Sequence, residues 1–183
     1  MFIAFQFASA ASYRVDSSHS QVHFTVKHLM ISKVRGVFTE FEGQIEADPA
    51  SKMLKSVKGV VQTASIDTRE AKRDKHLRSD DFFSAAQHPT MTFTSKEISG
   101  SGDNITVKGD LTIRGNTKEV TLKGAFLGAV KDPWGNERVG FEASGEISRK
   151  DFGLKWNKML ETGGVVVGDN VKIQLEIEAI KQE

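Results

Sequence analysis

Val171-Lys-Ile-Gln-Leu-Glu-Ile-Glu-Ala179 alternates apolar and polar residues, and the pattern recurs in Ile105-Thr-Val-Lys-Gly-Asp-Leu-Thr-Ile113 and Val139-Gly-Phe-Glu-Ala-Ser-Gly-Glu-Ile147. Successive side chains of a β-strand point to opposite faces, so this period of two predicts strands with one buried and one solvated face. Eight stretches of the chain show such a pattern. A chain with that many strands must close one sheet or pair two sheets to bury the apolar faces.

The alternating stretches are separated by short turn-forming segments such as Arg114-Gly-Asn-Thr117 and Asp132-Pro-Trp-Gly-Asn136. Connections this short favour antiparallel neighbours. The sequence therefore predicts an all-β fold, and an eight-stranded antiparallel barrel is the closed form we consider. After a short extended piece at Tyr13–Val15, we expect strands at about Gln21–His28, Arg35–Asp48, Lys55–Ile66, Thr90–Ser95, Ile105–Ile113, Val120–Gly128, Arg138–Ile147 and Val171–Ile180.

One segment departs from the strand pattern. Residues 67–78 lack alternation and favour a helix, with Asp67 or Thr68 as its N-cap. Ser79 is suited to cap a second helical start. We therefore expect a short helical insert around residues 68–86. We interpret Asp80-Asp81 as capping residues, because neighbours on a helix diverge by about 100° and are poorly placed to act as a catalytic pair.

Composition limits the possible functions. The 25 Lys and Arg residues are balanced by 24 Asp and Glu residues, so nothing predicts a nucleic-acid-binding face. Without cysteine, the chain has no disulfide, thiol nucleophile or thiolate metal site. No run approaches the roughly 20 apolar residues of a membrane span. The length of 183 residues suits one domain, which we assign to residues 11–183.

The first residues have a separate interpretation. Residues 1–7 are mostly apolar, and Ala8-Ser9-Ala10 matches the small-residue pattern of a signal-peptidase site. We expect residues 1–10 to be the remnant of a secretory signal peptide, with a mature chain beginning near Ala11. A frayed first strand or a remnant of cloning is the alternative.

Glycines on the apolar face raise the question of what fills the barrel. An eight-stranded barrel is wide enough to be filled by its own side chains or to hold one small ligand. One interpretation is that the glycines leave space for a ligand; the other is that they form the bends and bulges that barrel curvature needs. The glycines that share the apolar side of their strands are Gly43, Gly109, Gly124, Gly128 and Gly145, with Gly59 a less clear case.

Candidate ligand-binding residues follow from the same alternation. Phe41, Phe93, Phe126 and Phe141 fall on the inner face and predict apolar walls. An elongated apolar cavity suits a long hydrocarbon, since each buried methylene contributes about 0.8 kcal/mol.

The two ends of the cavity offer further candidates. Leu154, Trp156 and Met159 lie between the last two strands, where they could line or cover an opening. Phe82-Phe83 could close the other end, or they could simply complete the core.

The polar candidates are few. His19 and His23 lie roughly 13 Å apart along an extended strand, too far for one metal ion, and His28 has the opposite parity. We therefore predict no metal site. His28 could contact a ligand headgroup, or it could be a rim histidine that binds water or backbone. Arg149 is expected in surface or rim ion pairs. The sequence has no Gly-x-Ser-x-Gly nucleophile motif, and we assign no catalytic residue.

Six blocks in order give the chain a resemblance to the YceI-like family, from about Tyr13 to Ala179. The blocks are Tyr13-Arg-Val-Asp with His19-Ser and His28-Leu, Arg73-Asp-Lys-His-Leu-Arg-Ser-Asp-Asp-Phe-Phe83, His88-Pro-Thr-Met-Thr-Phe93, Gly109-Asp-Leu-Thr-Ile-Arg-Gly-Asn-Thr-Lys118, Ile147-Ser-Arg-Lys-Asp-Phe-Gly-Leu154 and Val167-Gly-Asp-Asn-Val171.

The resemblance implies an extended, eight-stranded, lipocalin-like β-barrel with a hydrophobic pore. In such proteins the pore holds a long amphiphile: a polyisoprenoid, an isoprenoid quinone or a fatty-acid derivative such as an amide. It also implies a periplasmic or secreted bacterial protein, often dimeric, with links to stress responses and to lipid or quinone transport. It supplies no catalytic residues and no cofactor besides the bound lipid.

Three functions follow as hypotheses. The first is a carrier or store for a long-chain lipid, without enzymatic activity. The second is an enzyme that modifies a lipid or quinone in the same cavity, for which His28 is the one candidate group. The third is an interaction module with a solid core, which large side chains beside Gly109, Gly124 and Gly145 would favour.

Overall fold

The structure, a computed structural model, describes residues 10–161 and 163–183. Residues 1–9, which make up most of the predicted signal-peptide remnant, lie outside the described part. The described strands are Ala11–Val15 (β1), Gln21–His28 (β2), Ser32–Phe38 (β3), Phe41–Asp48 (β4), Met53–Gln62 (β5), Ile66–Asp67 (β6), Thr90–Ser101 (β7), Asn104–Ile113 (β8), Asn116–Lys131 (β9), Glu137–Ser148 (β10) and Val167–Lys181 (β11). One α-helix, Ala71–Arg78 (α1), and two 3₁₀ helices, Thr63–Ser65 and Arg149–Phe152, complete the described elements.

The strands form a closed antiparallel barrel, as the alternation predicts. The ring runs β1-β4-β5-β7-β8-β9-β10-β11 and closes where β11 pairs with β1. β11 also pairs with β2, so β1 and β2 together serve as one long interrupted strand. β3 and β4 form a second interrupted strand in the same way, since β3 pairs with β2 and β4 pairs with β1. The predicted eight-stranded antiparallel barrel is confirmed.

The interruption between β1 and β2 is held by one serine. Residues 16–20 leave the ladder, and Ser20 Oγ accepts a hydrogen bond from Glu178 N at 2.9 Å while it donates to Glu178 O at 3.1 Å. The hydroxyl thus supplies the acceptor for Glu178 N, while Glu178 O also accepts from Asp16 N at 2.8 Å. This lets the long strand bend without leaving an unpaired peptide group.

The helical insert begins later than the sequence predicts. Glu70 is the N-cap of α1, and its carboxylate accepts hydrogen bonds from Lys72 N and Arg73 N. Arg69 has a left-handed φ of 62°, which prevents a helix from running through from Asp67. The prediction of Asp67 or Thr68 as the cap was therefore wrong. Ser79 ends α1 instead of starting a second helix, and turns follow it.

The core has two parts, one at each end of the barrel. At the end that carries α1, here called the helix end, Ile66, Phe82, Phe152 and Leu154 are buried together. At the opposite end, here called the far end, the buried cluster is Tyr13, Ile45, Ala47, Leu54, Ile105, Val107, Leu122, Phe126, Val139, Phe141 and Ala179. No helix in the described ranges has the length and apolar character needed to cross a membrane.

Arg138 ties three segments together on the outside of the far end. Its guanidinium donates to Asp132 at 2.7 Å, to Asp16 at 2.8 Å and to Glu178 at 2.5 Å. Hydrogen bonds from Ser18, Arg138 and His19 hold the pKa of Asp16 well below its usual value. Burial opposes ionisation of Asp132, yet the donors from Arg138 and Asn136 outweigh it and lower the pKa of that carboxyl too.

These carboxylates predict an acid-sensitive fold. A folded-state pKa below the unfolded value of 3.8 contributes stability that is present above that value and is lost as the pH falls toward the folded pKa. We expect the urea concentration at the unfolding midpoint to fall as the pH is lowered from about 5 to about 2. The Arg138→Gln variant should show a smaller dependence on pH. Lys96→Gln is the control, because Lys96 forms exposed ion pairs that contribute little. Equal pH slopes for the wild type and Arg138→Gln would contradict the assignment.

Candidate functional site

The interior of the barrel contains an apolar cavity of about 280 Å³. Its lining runs from Ile105 and Phe141 of the far-end cluster to Phe152 and Leu154 of the helix end, so the cavity extends along the barrel axis. Strands on all sides contribute inner-face side chains, among them Val22, Val57, Leu111 and Ile173. The barrel is therefore not packed solid.

The burial pattern of β11 shows how the cavity arises. Lys172, Gln174 and Glu176 are exposed on the outer face, as alternation requires. The inner-face residues Val171, Ile173, Leu175 and Ile177 are only half-buried, whereas Ala179 at the far end is completely buried. All four half-buried residues line the cavity. The side chains from opposite walls are too short to meet across this section of the barrel.

The glycines do not create this space in the way the alternation suggests. A Cβ atom on Gly109 would lie 2.5 Å from Phe93 Cζ, and one on Gly145 would lie 2.7 Å from Leu122 Cδ2. At Gly124 a Cβ would overlap the carbonyl oxygen of Glu142. Neighbouring side chains and strands thus already occupy the positions above these three glycines, so the interpretation that they leave empty space was wrong. This is the packing that a solid core predicts beside them, but the cavity elsewhere along the axis excludes a core that is solid throughout.

Gly59 is different from these three glycines. It lies opposite Gly43 and Phe93 in the sheet register and lines the cavity. A Cβ atom at Gly59 would meet only Glu42 O, at the comfortable distance of 3.8 Å. Gly59, the least certain glycine from the sequence, is thus the position at which a missing side chain leaves cavity open.

Most of the predicted aromatic and aliphatic candidates lie together on the cavity wall. Those that line it are Phe41, Phe82, Phe83, Phe93, Phe141 and Leu154. Phe126 is not in the lining; it is buried against Phe141 in the far-end cluster, with ring centroids 5.0 Å apart.

Two further aromatic residues belong to the wall near the helix end. Phe24 packs on Phe38 with centroids 5.7 Å apart, and Phe38 meets Phe83 edge-on at 5.8 Å. All three line the cavity. The alternation places Phe24 on the inner face of its strand, so the sequence contained the signal for it, whereas the contact with Phe83 depends on how the insert folds back.

Trp156 lies one layer further out. Its ring packs against Phe82 at 5.2 Å and against His76 at 4.8 Å, and it does not line the cavity. His76 Nε2 in turn lies 2.8 Å from a carboxylate oxygen of Asp81. Trp156 therefore backs the cavity-lining Phe82 from outside.

The structure does not bring His28 and Met159 to the cavity. Met159 is 77% exposed and forms an isolated bridge with Val165. His28 is the last residue of β2, and a bulge in β11 separates its pair with Val167 from the regular ladder at Val26. The β2–β3 ladder runs regularly through His28, so His28 keeps the side of Val26, but it lies beyond the lining, which ends at Val26 in this strand.

Charged residues reach the cavity only at its margins. Glu42, Lys58 and Glu142 border it from positions whose side chains are exposed on the outer face. Arg149 also borders it and forms the expected ion pair, with Asp169 at 3.4 Å, but it is 4% exposed, so the expectation of a surface position was wrong.

Arg149 seals the helix end by binding backbone carbonyls. It donates to Leu154 O at 2.5 Å, Gly168 O at 2.8 Å and Trp156 O at 2.9 Å, and more weakly to Val167 O and Asp169. Burial lowers the pKa of Arg149, and the charge of Asp169 opposes that shift. Because its five N–H groups all have acceptors, Arg149 has no donor left for a ligand anion. Its role is to hold residues 154–156 and 167–169 together at the end of the barrel.

Comparison with known proteins extends this description. The YceI-like domain model matches residues 13–179. A UPF0312 protein of Pseudomonas paraeruginosa is 40% identical over 177 residues, which make up 96% of this chain and 90% of that relative.

Solved structures agree in architecture. BcnA from Burkholderia cenocepacia has a TM-score of 0.77 at 25% identity, with 90% of this chain and 98% of that one covered. A polyisoprenoid binding domain from Saccharophagus degradans has a TM-score of 0.68 over 94% of this chain and 99% of that one. Its 16% identity supports a shared fold alone.

The hydrogen bonds of Arg149 to backbone carbonyls predict that removing its side chain lowers the stability of the fold. Arg149→Gln leaves several buried carbonyls without donors, and we expect the free energy of unfolding in urea to fall by about 3 kcal/mol. Lys150→Gln is the matched control, because Lys150 is an exposed partner of the same Asp169 and should change stability by less than about 1 kcal/mol. Similar urea midpoints for the two variants would refute the role of Arg149.

Proposed function

This chain belongs to the YceI-like family, and from its cavity we propose that it binds the hydrocarbon chain of one long amphiphile inside the barrel, as a carrier or store. The single observation that supports this most strongly is the apolar cavity that runs along the barrel axis. Its volume of about 280 Å³ lies near the lower end of the range of about 300–1,000 Å³ for small-molecule sites.

The energetics of the cavity favour a hydrocarbon guest. A chain of about a dozen methylenes would gain about 10 kcal/mol by leaving water, before the entropy of binding is subtracted. The inner faces offer this guest aliphatic and aromatic side chains, and the donors of Arg149 are already engaged. Selection would therefore rest on the length and shape of the chain, with little recognition of a buried headgroup.

The proposed ligand classes are a polyisoprenoid, an isoprenoid quinone and a fatty-acid derivative such as an amide. The name of the Saccharophagus degradans domain assigns polyisoprenoid binding to that protein. The shared fold supports only that a barrel of this kind can accommodate such a ligand, because the two sequences are 16% identical. We favour a binding protein over an enzyme, because the lining offers hydrocarbon contacts and because its charged side chains lie outside the cavity or are fully engaged.

Ligand extraction tests the proposal. We expect protein purified without detergent to carry an apolar molecule, visible as a mass increment in native mass spectrometry and recovered by organic extraction. Protein unfolded, stripped of lipid and refolded should take up an isoprenoid or fatty-acyl probe. Repeated recovery of empty protein that takes up neither probe would refute the proposal.

A cavity-filling variant tests where the ligand lies. Gly59→Phe should place a ring in the cavity without a backbone clash, and we expect ligand occupancy to fall about tenfold, which corresponds to 1.4 kcal/mol. Val60→Phe is the matched control, since it puts the same ring on the outer face of the same strand. Unchanged occupancy in Gly59→Phe would place the ligand elsewhere.

We also propose that the protein is exported from the cytoplasm. The apolar first residues, the Ala8-Ser9-Ala10 pattern and the lack of cysteine suit a periplasmic or secreted protein. We expect cell fractionation to find the protein, cleaved after Ala10, outside the cytoplasm of its bacterial host. Recovery of the uncleaved protein from the cytoplasm would oppose this assignment. Dimerisation remains a prediction of the family resemblance.

A further inference from the structure

Two neighbouring turns at the helix end expose an apolar surface. Met30 and Ile31 in the β2–β3 turn are 53% and 87% exposed, and Met159 is similarly exposed in the segment before β11. These three residues, here called the apolar tip, are half of the exposed large hydrophobic residues among the described residues. Exposed apolar side chains that lie close together indicate an interaction site more often than scattered ones do.

The two turns of the apolar tip are packed on each other. Leu29 N donates to Val166 O at 2.9 Å, and Val166 N donates back to Lys158 O at 3.0 Å. A Cβ atom on Gly164 would lie 3.5 Å from Met30 Cγ. Backbone hydrogen bonds therefore hold the two turns of the apolar tip in fixed positions relative to each other.

The β2–β3 turn holds its apolar residues in a costly conformation. Leu29 and Met30 have φ values of 50° and 63°, in the left-handed region that large residues seldom adopt. Three residues separate the paired His28 and Ser32, and Ile31 N donates to His28 O at 3.2 Å, so Leu29 and Met30 are the central residues of a tight turn. Central residues with positive φ are usually asparagine, aspartate or glycine. The presence of leucine and methionine here is not explained by turn chemistry, which favours a role for the exposed Met30 itself.

A group of cations lies directly behind the tip. Lys27 and Lys33 face each other across the β2–β3 ladder, and Arg35 follows on the same outer face. Like charges placed opposite each other destabilise a sheet. Among the described residues none of the three cations forms an ion pair, although the whole chain has a formal net charge of only +1. Lys155 and Lys158 add charge beside Met159, with Glu161 as the nearby carboxylate in sequence.

We propose that the apolar tip docks the protein on an anionic lipid bilayer. Apolar side chains can enter the boundary between headgroups and acyl chains, while lysine and arginine contact the lipid phosphates. Three side chains on two turns offer a small, protruding contact, which suits insertion between headgroups better than the broad surface of a stable protein interface. This inference stands apart from the proposed ligand, since it concerns the outer surface.

Docking through the apolar tip would turn the helix end of the barrel toward the membrane. The tip is continuous with the helix end, because Val166 of the second turn precedes Val167, which lines the cavity. Phe83 and Leu77 line the same end. A docked protein would therefore present the helix end of its cavity to the lipid surface.

Vesicle flotation tests the docking. The full chain is mixed with vesicles of phosphatidylcholine alone, or of phosphatidylcholine and phosphatidylglycerol in equal parts. We expect binding to the anionic vesicles that is at least about tenfold tighter than to the neutral ones, and that weakens as salt is added. Absence of binding to the anionic vesicles, or binding that does not depend on lipid charge or salt, would overturn the proposal.

Paired variants locate the contact. The double variants Met30→Gln with Ile31→Gln, and Lys27→Gln with Lys33→Gln, should each weaken anionic-vesicle binding about tenfold without lowering the thermal midpoint. The controls are Leu127→Gln with Trp134→Gln, which removes exposed apolar residues near the far end, and Lys123→Gln with Lys131→Gln, which removes the same charge elsewhere. Equal losses in the tip variants and the controls would overturn the assignment of the surface.

Two outcomes separate this inference from its alternatives. If the tip variants leave vesicle binding unchanged but convert a dimer to a monomer in analytical ultracentrifugation, the tip is a contact between copies of the chain and the proposal fails. Gly59→Phe should bind vesicles like the wild type, because it changes only the cavity. Loss of ligand and loss of docking can therefore be told apart.

Discussion

The closure of the barrel at β11 is the constraint on which the rest of the structure depends. β11 pairs with β10 on one edge and with both β1 and β2 on the other, so one strand joins the first and last parts of the chain. Every inner-face residue is thereby directed at a common axis. Without that closure the apolar faces would lie on an open sheet, and neither the cavity nor its two capped ends would exist.

The cavity results from side-chain reach across the closed ring more than from glycine. Phe93 covers Gly109 and Leu122 covers Gly145, so these glycines let large side chains lie flat against the wall. This use of glycine keeps the rings out of the centre of the barrel. The same residues that suggested an empty face therefore do help to keep the axis open, but by accommodating their neighbours.

The two ends of the barrel are closed by different means. The far end is filled by a conventional core in which Tyr13, Ala47 and Ala179 are buried. The helix end is closed by an insert and by residues 154–156 and 167–168, which Arg149 holds through their carbonyl oxygens. The helix end also has a buried apolar cluster, which includes Phe152 and Leu154, so hydrophobic packing contributes to both closures. The difference is the buried guanidinium, which links separate segments at the helix end through their peptide groups.

Alternation in the sequence was enough to predict the strands, the helical insert and most of the apolar wall, since a period of two assigns each residue to a face without knowledge of its neighbours. It therefore identified Phe41, Phe93 and Phe141 correctly as residues of the wall. It left open whether His28 contacts a ligand or lies at the rim, and the structure places His28 at the end of β2, outside the lining. The burial of Arg149, the exposure of Met159 and the open space beside Gly59 in the cavity depend on long-range packing. Alternation along a strand determines to which face a side chain points. The space available on that face depends on residues from other strands, which come together only in the closed barrel.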